Sequence, residues 1–222
     1  ESNPFLGHRG IRLCLSRPDL FKPQLRAILR SGSHSNLRIM FPMVASIQEI
    51  REARKVLDEC RGELEKEAAE FHRDPKIGIM IEVPSAALCA DQLAKAVDFF
   101  SIGTNDLTQY TLAADRTNAK VSHLVNAMQP AVLRLIKQVV DQGHIAGIWV
   151  GICGEMAAEP LAIPILLGLG LDEFSINPAS IPQAKAIIRT WDTRKATLLA
   201  EQVLRCETPS DVQTLVSTWL PY

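Results

Sequence analysis

Five short apolar runs divide the chain, and none of them alternates apolar with polar residues as a half-exposed strand would. Unbroken apolar runs of this length are typical of strands buried on both faces, as in a parallel sheet. The pattern therefore predicts five strands, which lie within Leu37–Val44, Lys76–Val83, Val97–Gly103, Gly147–Cys153 and Gly170–Ile176.

The stretches between these runs have the spacing of amphipathic helices. From Ser46 to Phe71 the apolar residues fall along one stripe. Ser46 followed by Glu49 forms a capping box, which predicts that this helix begins there. Pro130 is predicted to open another helix, and Gly143 to close it.

Strand and helix alternate five times, which predicts parallel βα units. A last helix is expected to start at Thr208, Pro209 and Asp211 and to end near Trp219. The fold class is therefore α/β. A doubly wound open sheet and part of a (β/α)8 barrel both explain this pattern, and periodicity alone does not choose between them.

Length, composition and net charge limit the number of domains and the kinds of partner that we expect. The 222 residues, 47% of them hydrophobic, predict one core, and we expect a single domain over residues 1–222. A formal net charge of −1 predicts no nucleic-acid partner and no general attraction to anionic membranes.

Five cysteines without a Cys-x-x-Cys pair favour a reduced, cytoplasmic protein. No apolar run approaches the roughly 20 residues that span a bilayer. A first residue of Glu1, before a Ser-Asn-Pro turn, indicates a fragment.

Unusual polar residues stand at the ends of three predicted strands. Glu82 ends the second apolar run, Asn105 and Asp106 follow the third, and Cys153 ends the fourth. Active sites of parallel α/β folds lie at the carboxyl ends of the strands. We therefore expect these side chains to meet at one edge of the sheet.

Two interpretations of the carboxylates stay open. Glu82, directly after four apolar residues, either pairs with an arginine or lysine at a neighbouring strand end or binds Mg²⁺. Asn105 and Asp106 could by themselves simply cap the next turn or helix. Adjacent strands would bring Glu82 and Asp106 to one ion, and that pairing favours the metal hypothesis.

Arginines near these strand ends could hold an anion. Arg116 follows Asp106 by ten residues, and Arg9 and Arg12 lie in the amino-terminal segment. A lone arginine is more often a surface charge, but a trianionic phosphoester needs forked cationic donors. Cys153 is, from composition alone, more often a small buried apolar residue than an acid or nucleophile.

Five motifs in order along the chain resemble the phosphoenolpyruvate-utilising enzymes. Asp98–Arg116 (DFFSIGTNDLTQYTLAADR) carries most of the resemblance, which is strongest with enzyme I of the bacterial sugar phosphotransferase system. Pyruvate phosphate dikinase and phosphoenolpyruvate synthase share GTNDLTQ but are unlike the chain in YTLAADR. The other motifs are Asn3–Arg12, Leu37–Val44, Gly78–Ala87 and Gly151–Pro160.

The resemblance implies a (β/α)8 TIM-type barrel, here lacking its first strands, that binds phosphoenolpyruvate and Mg²⁺ and forms a homodimer. It also implies roles for single residues. Glu82 and Asp106 would bind the metal, Cys153 would protonate the enolate carbon, and phosphoenolpyruvate would contact Arg9, Asn105, Asp106 and Arg116.

In that family the phosphoryl group passes from phosphoenolpyruvate to a histidine on a separate amino-terminal domain, then to a small phosphocarrier protein, and pyruvate is released. Neither that histidine domain nor two further substrate arginines is found in these 222 residues. We therefore expect no phosphotransfer by the chain alone. A dikinase- or synthase-type barrel and a catalytically incomplete dimerisation or regulatory module remain the alternatives.

Overall fold

A computed structural model describes residues 1–32 and 36–220, and its five strands form a single parallel sheet. The α/β class and the five predicted strands are confirmed. The strands are β1 (Arg38–Phe41), β2 (Lys76–Ile81), β3 (Phe99–Gly103), β4 (Trp149–Cys153) and β5 (Glu173–Phe174).

Strand order decides between the two architectures that the sequence left open. Each strand pairs with the next one along the chain, in the order β1-β2-β3-β4-β5. A doubly wound sheet reverses its strand order at a switch point, whereas a (β/α)8 barrel adds strands in one direction. Among the described residues β1 and β5 each pair on one side only, so the sheet is an open arc of a barrel.

Helices connect the strands and cover the sheet. No helix in the described part of the chain is long and apolar enough to cross a membrane. The helices are α1 (Ile11–Ser16), α2 (Pro18–Ser31), α3 (Ile47–Lys66), α4 (Pro84–Leu88), α5 (Ala90–Leu93), α6 (Thr104–Leu112), α7 (Pro130–Ile145), α8 (Ala162–Leu169), α9 (Ile181–Arg189), α10 (Thr193–Val203) and α11 (Pro209–Trp219).

Every strand is shorter than the apolar run that predicted it, most of all β5, which has two residues. Some of the apolar residues beyond the strand ends are buried without pairing to a neighbouring strand. Val44, beyond the end of β1, is fully buried, and Leu171, before β5, is 7% exposed. Only part of each run hydrogen-bonds in the sheet. Burial on both faces was wrongly predicted for two strands, because β1 alternates exposed and buried residues and neither residue of β5 is buried.

Local signals predicted the helix starts correctly and two helix ends wrongly. The capping boxes at Ser46 and Thr208 are both formed. However, α3 ends at Lys66 and does not reach Phe71. Ala68 takes a left-handed conformation (φ 52°), and the Ala69 amide donates to the Leu64 carbonyl in a Schellman turn. Glycine usually occupies that position, so the sequence carried no stop signal.

Gly143 does not close α7, which continues to Ile145. Gly147 (φ 76°) is the left-handed residue, and the Ile148 amide donates to the Gly143 carbonyl. Gly143 instead lies where the helix meets β4, because an added Cβ would stand 2.5 Å from Val150 Cγ2. The glycine that the sequence marked as a stop is needed for packing.

A second glycine sets how closely α8 and α10 approach each other. A Cβ added to Gly168 would lie 2.0 Å from the Ala196 carbonyl oxygen, which is backbone and cannot rotate away. Gly62, in the middle of α3, would meet nothing within 4 Å. Glycine-to-alanine substitution at Gly62 is therefore a matched control for the same substitution at Gly168.

We expect Gly168→Ala to lower the free energy of unfolding by about 1–3 kcal/mol, because the helices must separate. Gly62→Ala should raise it by about 0.5–1 kcal/mol through helix propensity alone. Urea denaturation of both variants measures these changes. Equal stability of the two variants would contradict the close approach of α8 and α10.

Candidate active site

The carboxyl edge of the sheet brings together side chains from three neighbouring strands. Strand register aligns Ile81 with Ile102, and Gly103 with Cys153. Glu82 follows β2, α6 begins directly after β3, and Cys153 is the last residue of β4. The predicted meeting of these side chains at one edge therefore follows from the parallel register.

Glu82 is a buried carboxylate with a backbone partner. It is 5% exposed, and its Oε1 accepts a hydrogen bond of 2.7 Å from the Met43 amide. Burial raises the pKa of Glu82, the Met43 amide lowers it, and the nearby Asp106 charge raises it. Among the described residues it makes no ion pair, so the interpretation of Glu82 as half of a salt bridge was wrong.

The loop after β1 is shaped to deliver that amide. Met43 has a φ of 58°, which is uncommon for a residue with a long side chain. A Cβ added to Gly10 (φ 56°) would lie 2.7 Å from Met43 Cβ, so the amino-terminal segment packs directly on this loop. A Cβ on Gly103 would approach Glu82 Oε2 to 3.0 Å, so that glycine leaves room for the carboxylate.

Two arginines converge on Asp106, which is 7% exposed. Arg9 Nη2 lies 3.4 Å from Asp106 Oδ2, and Arg116 Nη1 donates to Asp106 Oδ1. Both arginine side chains are 34% exposed and keep access to solvent. Asp106 makes no side-chain cap of α6, so the capping alternative was wrong for it. The carboxylate is a paired buried charge at the site edge.

Asn105 and Thr104 tie the end of β4 to the start of α6. Asn105 Oδ1 accepts from the Glu155 amide at 3.1 Å, and Thr104 Oγ1 donates to the Cys153 carbonyl at 2.9 Å. Gly154 (φ 96°) must be glycine, because a Cβ would lie 2.4 Å from Thr104 Oγ1. Asn105 does not cap α6 with its side chain either.

Cys153 is half-buried, and its Sγ accepts from Ser101 Oγ at 3.7 Å. Burial raises the pKa of Cys153, the Ser101 hydroxyl lowers it, and the Glu82 charge raises it. A raised pKa keeps the thiol protonated at neutral pH. A protonated thiol is a proton donor, whereas a nucleophilic cysteine needs a lowered pKa.

The two carboxylates fit a divalent cation that a phosphorylated substrate helps to hold. Glu82 and Asp106 are both buried and close enough for the Asp106 charge to raise the pKa of Glu82. The described residues contain no cluster of three or more His, Cys, Asp or Glu side chains that could form a complete metal cage. Mg²⁺ typically takes one or two carboxylates, waters and substrate phosphate, which matches this pair.

Sequence reasoning missed two residues that shape the site. Tyr110, one helical turn after Asp106, donates its hydroxyl to the Phe5 carbonyl and accepts from Arg9 Nη1 at 3.5 Å. The i, i+4 spacing from Asp106 could have placed Tyr110 on the same helix face. Phe5 lies within the Asn3–Arg12 motif, but no role was predicted for it. Arg12 donates to the Leu6 and Gly7 carbonyls and so supports the amino-terminal segment.

Comparison with solved structures supports the barrel architecture. The structure of a citrate lyase from Burkholderia xenovorans LB400 superposes with a TM-score of 0.56, covering 90% of this chain and 67% of that one. The two sequences are 17% identical, so the similarity concerns the fold alone.

Curated relatives are far more similar in sequence. The phosphoenolpyruvate-protein phosphotransferase of Staphylococcus carnosus is 52% identical over 219 residues, and that of Listeria monocytogenes is 50% identical over 219 residues. Both alignments cover 99% of this chain and 38% of the relative. The chain thus spans well under half the length of these relatives.

The model of the phosphoenolpyruvate-binding domain of PEP-utilising enzymes matches residues 1–193. This match covers most of the chain, including every residue of the site described above. The chain belongs to the family of PEP-utilising enzymes and carries their PEP-binding domain.

Proposed function

We propose that residues 1–222 form one domain that binds phosphoenolpyruvate with Mg²⁺, as part of a phosphoenolpyruvate–protein phosphotransferase. The observation that carries the proposal is the convergence of Arg9 and Arg116 on the Asp106 carboxylate, beside the buried Glu82. Forked cations beside paired carboxylates suit a phosphate and its metal ion. The names of the relatives support the same activity.

Glu82 and Asp106 would hold Mg²⁺, which when bound would neutralise negative charge on the phosphoryl group. Arg9 and Arg116, partly exposed, keep their position and exchange hydrogen bonds to Asp106 for hydrogen bonds to the phosphate. Asn105 contacts the substrate from the start of α6, where its Oδ1 accepts from the Glu155 amide. Binding therefore exchanges an internal ion-pair cluster for one that includes the ligand.

Cys153 supplies a proton. Loss of the phosphoryl group leaves enolpyruvate as its enolate, and Sγ donates its proton to the methylene carbon, which gives pyruvate and a thiolate. Solvent then returns a proton to the sulfur. The raised pKa of Cys153 supports this role, because it keeps the proton on the thiol until the enolate forms.

In a protein of the relatives' length, the phosphoryl acceptor is a histidine on an amino-terminal domain, which passes the group to a small phosphocarrier protein. The protein acts in the cytoplasm as a homodimer within the phosphotransferase system. The remaining strands of the barrel come from the same longer chain and pair with the open strand edge of β1.

Asp106→Asn tests the binding site. We expect phosphoenolpyruvate to bind the chain only with Mg²⁺, and the variant to weaken binding at least about 100-fold, as loss of a buried charged partner implies. Calorimetric titration with Mg²⁺ and then with chelator measures this. Asp98→Asn, at the opposite edge of the sheet, is the control and should bind as the unaltered chain does.

If the unaltered chain does not bind, the same titration is repeated with the upstream part of the Staphylococcus carnosus relative joined to it. Binding by the longer chain would show that other strands complete the site. Absence of binding by both proteins would contradict the proposed function and favour a dimerisation or regulatory module.

Cys153→Ser in that longer protein tests the proton donor. Pyruvate formation should fall by about 100-fold or more, as expected for loss of a general acid, while phosphoenolpyruvate affinity changes less than about 2-fold. The exposed Cys89→Ser is the matched control. Pyruvate formation by Cys153→Ser at the unaltered rate would exclude this role. The 222-residue chain alone should form no pyruvate.

Glu82→Gln separates function from stability. The pKa of Glu82 is higher in the folded chain than in the unfolded chain, so a rise in pH through the interval between the two values lowers the free energy of unfolding. The variant has no such loss, and its free energy of unfolding at neutral pH should be higher by about 0.5–2 kcal/mol. The difference should vanish below the ordinary glutamate pKa, and the variant should lose Mg²⁺-dependent binding. Urea unfolding at several pH values measures the difference; a variant that is less stable at neutral pH would contradict it.

A further inference from the structure

Phe5 lies against both arginines of the site. Arg9 Cζ is 5.2 Å and Arg116 Cζ is 5.3 Å from the centroid of the Phe5 ring, within the distance of a cation–π contact. These arginines stand 107 positions apart in the chain, as their residue numbers show. One aromatic side chain thus contacts both cations that flank Asp106.

The polar contacts of Arg9 are long. Its guanidinium lies 3.4 Å from Asp106 Oδ2 and 3.5 Å from the Tyr110 hydroxyl, beyond the usual range of about 2.7–3.2 Å for such bonds. Hydrogen bonds of this length orient a side chain weakly. The ring of Phe5 therefore contributes a substantial part of the contacts that hold Arg9 in place.

Side chains hold the backbone at Phe5 and at the two residues that follow it. The Tyr110 hydroxyl donates to the Phe5 carbonyl, and Arg12 donates to the Leu6 and Gly7 carbonyls at 3.1 and 3.3 Å. Burial raises the pKa of Tyr110, and the Asp106 charge raises it further, so the phenol keeps its proton for this bond. The ring is thus presented to the arginines by a fixed segment.

We propose that Phe5 is a positioning residue: its π face holds the Arg9 and Arg116 guanidiniums in the orientation in which they bind the phosphate of the substrate. The proposal rests on the proposed function for its ligand. The ring also offsets the repulsion between two cations that share one carboxylate. Because the attraction depends on electron density in the ring, its strength can be changed without changing the shape of the side chain.

The first experiment needs no ligand. Relaxation of the arginine Nε–Hε groups, measured by NMR in the 222-residue chain, should show Arg9 and Arg116 ordered. In Phe5→Leu both should become markedly more mobile, while Arg54, held by the Ala96 carbonyl, stays ordered. Unchanged order of Arg9 and Arg116 in Phe5→Leu would overturn the proposal, whatever the chain binds.

The second experiment uses phosphoenolpyruvate with Mg²⁺ and mono-, di- and trifluorophenylalanine placed at position 5. Each added fluorine weakens the π face and nearly keeps the shape, so affinity should fall stepwise, by about 3- to 10-fold over the series. A merely steric role predicts no such trend, and a flat series would overturn the proposal.

Phe71 provides the matched control. Arg73 Cζ lies 5.3 Å from its ring centroid, but this pair precedes the amino end of β2, away from the site. Fluorination of Phe71 should leave affinity unchanged. Failure of the unfluorinated chain to bind phosphoenolpyruvate would count against the proposed function, and the order of the two arginines would still decide the role of Phe5.

Discussion

Burial of the Glu82 and Asp106 carboxylates at the carboxyl end of the sheet is the constraint around which the site is built. Isolated charges there would be costly, so each must be compensated. Glu82 accepts a hydrogen bond from the Met43 amide, and Asp106 forms ion pairs with two arginines. The left-handed Met43, its close packing on Gly10 and the room left by Gly103 all serve this compensation.

Compensation by partly exposed partners makes the arrangement suited to ligand exchange. The arginine side chains are partly exposed and carry the positive charge, whereas the carboxylates are fixed on a strand end and a helix start. In the proposed function, an anionic ligand with its cation replaces these internal ion pairs. Cys153, tied to the same edge through Thr104, has an environment that keeps its proton. The proposed binding and proton-donor roles therefore depend on one edge of the sheet.

The amino-terminal segment belongs to this edge as much as the strands do. Phe5 contacts both arginines, Tyr110 fixes the Phe5 backbone, and Gly10 packs on the loop that carries Met43. Away from the site, small residues such as Gly168 allow helices to approach each other closely.

The sequence by itself determined the features that depend on near neighbours: five strands, the capped starts of α3 and α11, and the polar residues that end or follow β2, β3 and β4. Its motifs also indicated the family. Only the tertiary structure decided the strand order, the partner of Glu82 39 residues away and the Tyr110–Phe5 bond across 105 residues. It also decided that Ala68, with no glycine signal, ends α3. The physical reason is that local propensity acts over a few residues, whereas compensating a buried charge recruits whichever groups the fold brings beside it.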